Sequence, residues 1–168
     1  MGNVLAVIGG SGLYNVDDMT DIEEVHVDTP YGAPSDAVIR GRLKESGAPM
    51  MFLPRHGRGH RVSPTDINYR ANICALKKLG ATHVLSVSAV GSMKEEIAPG
   101  DLVVVDQFID LTKRRVSSFF EDGIVGHVAF SDPVCSIMAD AAYAAAKATG
   151  ARAHKGGTYE CIEGPQFS

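Results

Sequence analysis

Three loops rich in small and polar residues could together bind an oxyanion such as phosphate. They are Gly-Gly-Ser-Gly at residues 9–12, Arg-His-Gly-Arg-Gly-His at residues 55–60 and Ser-Ala-Val-Gly-Ser at residues 88–92. Glycines let backbone N–H groups approach an anion closely. The planar guanidinium of Arg55 matches the oxygens of phosphate, and His56, Ser11 and Ser88 can each donate a further hydrogen bond.

Each loop follows an apolar run that predicts a buried strand, at residues 4–8, 49–53 and 83–87. Ligands of open α/β sheets collect at the carboxyl ends of the strands, so three such loops can converge on one site. Taken alone, the loop at residues 9–12 is equally consistent with a plain structural turn. The pair Arg55-His56 alone is more typical of a protein surface, and residues 88–92 alone are more typical of a turn. The first loop has neither the GxGxxG spacing of a dinucleotide site nor the GKS/T of a P-loop, which argues against a nucleotide-binding oxidoreductase.

The remaining pattern alternates strands with two helices and predicts an α/β fold, a mixed central sheet flanked by helices. Further strands are predicted at residues 24–27, 37–43, 102–109 and 154–161. One helix is predicted from Thr65 or Asp66 to a stop at Gly80, with Cys74 on its inner face. A second is predicted from an N-cap at Asp132 to Gly150. Residues 111–130 have no periodicity and are predicted to form a long loop.

Composition limits the function further. The 168 residues are 45% apolar and 21% charged, which indicates a single globular domain, residues 1–168. A net charge of −4 gives no general electrostatic reason to bind nucleic acid or an anionic membrane. The chain has no signal-peptide pattern and no membrane span, so we expect a cytoplasmic protein. Its three cysteines do not form a disulfide framework, and Asp101, Asp106 and Asp110 are more typical of turns than of a metal site.

Seven ordered motifs resemble the 5'-methylthioadenosine and 5'-methylthioinosine phosphorylases of the purine nucleoside phosphorylase family. They are IGGSGL at 8–13, DTPYGAPSD at 28–36, RHGRGH at 55–60, NYRANICALKKLG at 68–80, SAVGSMKEEIAPGD at 88–101, DQFIDLT at 106–112 and IEGPQFS at 162–168. The resemblance implies a nucleoside phosphorylase fold assembled as a trimer or hexamer. It also implies cleavage of a 5'-modified purine nucleoside by phosphate, with phosphate as co-substrate and no cofactor or metal.

The resemblance also implies roles for individual residues. Ser11, Arg55, His56, Ser88 and Ala89 would bind phosphate. A second set would contact the nucleoside: Ala89, Val90, Gly91, His127, Phe167 and Ser168. His60 and Tyr69 are weaker candidates for the same site.

The chain ends directly after a predicted strand and a Gly-Pro turn, so we expect the fold to continue beyond Ser168. Members of the family continue well past this point, and that part holds the acidic group that hydrogen-bonds the leaving purine. The choice between 6-amino and 6-oxo purines and between 5'-methylthio and 5'-hydroxyl nucleosides therefore stays open. The alternatives are a phosphorylase of inosine, guanosine or 5'-methylthioinosine, and a short non-catalytic homologue that only binds phosphate.

Overall fold

The computed structural model describes residues 2–10, 13 and 16–165 of the chain. Contacts between Cα atoms divide it into two compact units. The first consists of Met1–Ala89 with Val116–Phe119, and the second of Val90–Arg115 with Phe120–Ser168.

The first unit is built on a mixed five-stranded sheet. Its strands are β1 (Leu5–Gly9), β2 (Met19–Val25), β3 (Val38–Leu43), β4 (Pro49–Pro54) and β5 (His83–Ser86), in the order β2-β3-β4-β1-β5. β1 lies between β4 and β5 and is parallel to both, with Ile8 opposite Leu53 on one side and Ser86 on the other. β2, β3 and β4 form an antiparallel run. The predicted mixed sheet is confirmed.

The core of this unit lies between the sheet and the helix α1 (Tyr69–Lys78). The cluster contains Ala6, Ile8, Val38, Met51, Leu53, Ala75 and Leu76. The parallel strands β1 and β4 supply most of it, as expected for near-continuous apolar strands with little exposure on either face. Cys74, predicted on the inner face of the helix, is only half-buried, because the buried side of α1 is formed by Ala71, Asn72, Ala75 and Leu76.

The predicted start of α1 is wrong by about one turn. Asn68 is the N-cap, and its Oδ1 accepts a hydrogen bond from the backbone N–H of Ala71 at 3.1 Å. Asp66 is not the cap, since residues 67 and 68 after it are not helical; its carboxylate accepts from the hydroxyl of Ser63 at 2.6 Å. The predicted end is confirmed: Leu79 is the C-cap, and Gly80 follows in the left-handed region at φ 92°.

The second unit contains two short parallel ladders, where the sequence predicts two long strands. β6 (Leu102–Val104) pairs with β8 (Ala153–Lys155), and β7 (Gln107–Asp110) pairs with β9 (Thr158–Cys161). The interruption lies at Gly156 and Gly157, whose φ values of 85° and 130° are not those of a strand.

The helix α2 (Ser136–Ala148) contacts β6 and β8. It begins four residues after the predicted N-cap: Cys135 is the N-cap residue, and the carboxylate of Asp132 accepts from the hydroxyl of Ser131 at 2.9 Å. Residues 111–130 contain no helix or strand, as predicted. Among the described residues, no helix is both long and apolar enough to cross a membrane.

Candidate functional site

The carboxyl ends of β1, β4 and β5 meet at one edge of the first unit's sheet. The backbone N–H of Arg55, just after β4, donates to the carbonyl of Gly9 at the end of β1 over 2.8 Å. On the other side, the N–H of Val87, just after β5, donates to the carbonyl of Ile8 over 2.9 Å. The carboxyl ends of the three strands are therefore adjacent, as the convergence expected from the sequence requires.

Arg55 spans this edge with its side chain. Its Nη1 donates to the carbonyl of Val87 at 3.1 Å, and its Nε donates to Nε2 of His56 at 3.2 Å. A Cβ placed on Gly10 would lie 3.9 Å from Nη2 of Arg55. The guanidinium therefore lies near Gly10, just after β1, and contacts the backbone just after β5.

His56 has a defined orientation. Its Nδ1 lies 2.9 Å from the carbonyl of Val62, which can only accept, so Nδ1 carries the proton and Nε2 accepts from Arg55. The ring also stacks on His60, with centroids 4.7 Å apart. Both ring nitrogens of His56 thus have partners within the loop of residues 55–62, which we call the Arg55 loop.

The Arg55 loop is attached to the rest of the unit through the carboxylate of Asp36. The side chain of Asp36 is 6% exposed. Its oxygens accept from the backbone N–H of Arg58 at 2.7 Å and from Nη2 of the same arginine at 3.1 Å. Nη2 of Arg61 lies 3.4 Å away. Arg58 also forms a two-pronged ion pair with Glu24, at 2.6 and 2.9 Å.

These contacts change the ionisation of Asp36. Burial raises its pKa, but hydrogen bonds from the side chain and backbone of Arg58 and from the N–H of Ala37 outweigh this and lower the pKa from 3.8 to about 2. The carboxylate is therefore charged at any physiological pH.

Helix α1 in turn fixes the segment that carries Asp36. Asn72, 1% exposed, accepts from the backbone N–H of Ser35 at 2.8 Å and donates to the Ser35 hydroxyl at 3.0 Å. Asn68 donates to the carbonyl of Tyr31 at 2.6 Å. Two amide side chains of one helix therefore hold residues 31–36 in place.

The other residues assigned from the resemblance are located as follows. Ser88 and Ala89 follow β5 in the first unit and are exposed. Val90, Gly91 and His127 are also exposed, and they belong to the second unit. Ser11, Phe167 and Ser168 lie outside the described residues. Tyr69, the first residue of α1, donates its hydroxyl to the carbonyl of Pro64 at 3.2 Å.

Within the part of the chain that the structure describes, no three His, Cys, Asp or Glu side chains come together as they would around a metal ion. In the second unit, Asp101 accepts from Nε2 of His154 at 2.7 Å and from the N–H of Ala98 at 3.0 Å. The hydrogen bond from His154 is the main reason that the pKa of Asp101 is lowered. Asp106 accepts from the N–H of Gly157, and Asp110 from that of Thr112. All three carboxylates therefore accept from backbone N–H groups.

Sequence reasoning missed the supporting residues of the Arg55 loop. Asp36 ends a Pro- and Gly-rich stretch, where a carboxylate looks like an ordinary turn residue. Asn72 had a usable signal, since it is an amide within the apolar strip of a predicted helix. Such a residue is buried only when its hydrogen bonds are satisfied.

Comparison with known proteins identifies close relatives along the whole chain. The S-methyl-5'-thioadenosine phosphorylase of Geobacter sulfurreducens is 56% identical over 169 aligned residues, covering 100% of this chain and 58% of the relative. That of Saccharolobus solfataricus is 50% identical over 164 residues, covering 98% of this chain and 60% of the relative. The chain thus spans somewhat more than half the length of the curated relatives it matches.

Solved structures agree. A methylthioadenosine phosphorylase from an antarctic soil metagenomic library is 50% identical with a TM-score of 0.90, covering 99% of this chain and 58% of that structure. The methylthioadenosine phosphorylase of Schistosoma mansoni, in complex with adenine, is 33% identical with a TM-score of 0.88, covering 99% of this chain and 67% of that structure. The family model described as the phosphorylase superfamily matches residues 4–168, and the chain therefore belongs to the phosphorylase superfamily.

Proposed function

We propose that this chain carries the phosphate-binding part of an enzyme that cleaves 5'-methylthioadenosine with inorganic phosphate. The products would be adenine and 5-methylthioribose 1-phosphate. The observation that supports this most is the edge where β1, β4 and β5 end, which Arg55 spans with its backbone and side chain. The similarity to methylthioadenosine phosphorylases, among both the curated relatives and the solved structures, supports the substrate.

The chemistry requires a phosphate held below C1' of the ribose. As the bond from C1' to the purine nitrogen breaks, positive charge develops on the ribose and negative charge on the purine. A phosphate oxygen then forms the new bond to C1', and the leaving purine takes up a proton. Holding a negatively charged nucleophile beside the developing cation supplies both orientation and electrostatic stabilisation.

Within this scheme, Arg55 binds phosphate directly, and Ser11, Ser88 and the Ala89 backbone complete the phosphate site. His56 orients Arg55, since both of its ring nitrogens already have partners in the Arg55 loop. The nucleoside would contact Ala89, Val90, Gly91, His127, Phe167 and Ser168. The acidic group that hydrogen-bonds the purine would lie in the part of the relatives that the match does not cover.

We infer further that the enzyme uses no cofactor or metal, assembles as a trimer or hexamer and works in the cytoplasm. These properties follow the family resemblance, and sedimentation of the purified protein tests the assembly. The remaining alternatives are the cleavage of inosine, guanosine or 5'-methylthioinosine and a homologue that binds phosphate without turnover.

The deciding experiment is an assay of base release after the intact mass of the purified protein has been measured. Adenine release from 5'-methylthioadenosine that requires phosphate would support the proposal. Faster release of hypoxanthine from inosine or 5'-methylthioinosine would favour the first alternative. For a species of 17.8 kDa, the mass of the 168 residues, we expect phosphate binding without turnover, because the purine side of the site would be absent.

A further inference from the structure

We propose that Asp36 is a positioning residue for the phosphate site: it holds the Arg55 loop in the shape that presents Arg55 to phosphate. This inference rests on the proposed function, because it assigns the loop to phosphate binding. The family resemblance implies no role for Asp36. Its carboxylate binds Arg58 and Arg61 of the loop rather than Arg55 itself.

The attachment is to the backbone of the loop. The N–H of Arg58, three residues after Arg55, donates to Oδ2 of Asp36 at 2.7 Å. Nε and Nη2 of Arg58 add bonds to the same carboxylate at 3.4 and 3.1 Å. A carboxylate is a strong hydrogen-bond acceptor because it is charged. Since Asp36 binds the backbone N–H of Arg58 as well as its side chain, it fixes the path of the chain at this point of the loop.

The segment that carries Asp36 is itself held by hydrogen bonds. Oδ1 of Asp36 accepts from the N–H of Ala37, the residue before β3, at 2.8 Å. The preceding residue, Ser35, is held by the buried amide of Asn72 on α1. The contact between the two segments is close: a Cβ on Gly57, at φ 68°, would lie only 3.0 Å from the carbonyl of Ser35. The Arg55 loop is therefore linked to α1 through Asp36 and the adjacent Ser35.

The direction of the change in phosphate affinity on removal of Asp36 distinguishes a positioning role from a direct electrostatic effect. Asp36 is negative, so removing its charge near an anion site would strengthen phosphate binding by Coulomb's law alone. If Asp36 instead positions the Arg55 loop, its removal weakens binding, because the loop must then be ordered at the expense of binding free energy. The two roles predict opposite changes in affinity.

The experiment is a calorimetric titration of the full 168-residue chain with inorganic phosphate. We expect Asp36→Ala to weaken the affinity for phosphate at least about tenfold, which corresponds to about 1.4 kcal/mol. Asp36→Asn keeps one acceptor oxygen for the N–H of Arg58 and should fall between Ala and wild type. The matched control is Glu23→Gln, which removes a carboxylate of the exposed ion pair with Arg40 on the neighbouring strand and should leave the affinity unchanged.

A second readout follows the loop without ligand. The amide resonance of Arg58 should move upfield in Asp36→Ala and, less, in Asp36→Asn, because the bond to a carboxylate is lost or weakened. Asp36→Asn keeps the test decisive if the Ala variant does not fold. Wild-type chain that binds no phosphate would overturn the proposed function and this inference with it. Wild-type binding that is unchanged or stronger in both Asp36 variants would overturn this inference alone.

Discussion

Arg55 donates its Nε–H to Nε2 of His56 over 3.2 Å, while Nδ1 of the same ring donates to the carbonyl of Val62. The imidazole therefore connects the guanidinium to the far end of the Arg55 loop. Nη1 of Arg55 also donates to the carbonyl of Val87 after β5, so two hydrogen bonds within the protein hold the side chain without a ligand. Such preorganisation reduces the ordering that phosphate binding must bring about.

Replacing Arg55 should affect binding more than stability. Arg55→Ala removes charge-assisted hydrogen bonds to phosphate, each worth about 1.5–3 kcal/mol, so the affinity should fall at least about tenfold. The free energy of unfolding should fall by only about 1 kcal/mol, because the side chain makes one neutral-acceptor bond to Val87 and one to His56. Phosphate titration and urea unfolding measure the two quantities.

The matched control for Arg55 is Arg42→Ala. Arg42 is an exposed arginine on β3 that donates to the carbonyl of Gly47, so its removal changes the net charge equally without touching the strand ends. Arg55→Lys should bind phosphate with intermediate affinity, since an ammonium keeps the charge but not the planar fork. Equal phosphate affinity in the Arg55 and Arg42 variants would remove Arg55 from the site.

The protonation pattern of His56 is a second testable feature. In its neutral form, the ring should carry its proton on Nδ1, because Nε2 accepts from Arg55. Long-range proton–nitrogen spectra distinguish the two ring nitrogens. In Arg55→Ala this preference should weaken, since the donor to Nε2 is gone. A proton on Nε2 in the wild type would contradict the arrangement and return His56 to a direct role as a phosphate donor.

The central strands of the sheet could be predicted because local signals agreed with the global fold. Three apolar runs, each followed by glycines or polar residues, are enough to place β1, β4 and β5 and the loops after them. Helix starts could not be placed as well. Asp66 and Asp132 both have the right residue type for an N-cap, but the caps are Asn68 and Cys135. Residue type shows that a side chain can cap a helix, whereas the first helical residue depends on backbone conformation and packing.

The support of the Arg55 loop could not be predicted for a related reason. Asp36 and Arg58 are 22 residues apart, and their contact depends on the register of β3 against β4 and on the turn at Gly57. Arg55 and His56 could be assigned because their residue types match phosphate chemistry directly. The sequence alone does not show which of many carboxylates faces which arginine.

Substitution of Gly156, which lies between β8 and β9, should lower the stability of the chain. Gly156→Ala places a Cβ 3.1 Å from Oδ2 of Asp106 at a φ of 85°, so it adds a close contact to backbone strain. We expect a loss of about 1–2 kcal/mol in the free energy of unfolding. Gly150→Ala is the control: its φ is 82°, but nothing lies within 4 Å of the added Cβ. Gly150→Ala should therefore cost less in urea unfolding, and the reverse order would mean that the contact with Asp106 relaxes freely.

Asp36 should make the free energy of unfolding depend on pH. Its pKa in the folded chain is about 2, below its usual 3.8, so the folded state favours the charged form. The stabilisation is therefore fully present above pH 3.8 and is lost as the pH falls through about 2. The shift corresponds to about 2 kcal/mol.

Because many other carboxylates titrate in the same range, the measurement is a difference between two chains. Asp36→Asn has no charge to lose, so its deficit in unfolding free energy relative to wild type should be largest at neutral pH and shrink by about 2 kcal/mol on acidification to about pH 2. Glu23→Gln, which removes an exposed carboxylate, should show a small deficit at every pH. A deficit for Asp36→Asn that stays constant across this range would mean that the carboxylate keeps an ordinary pKa, and that the hydrogen bonds from Arg58 do not offset its burial.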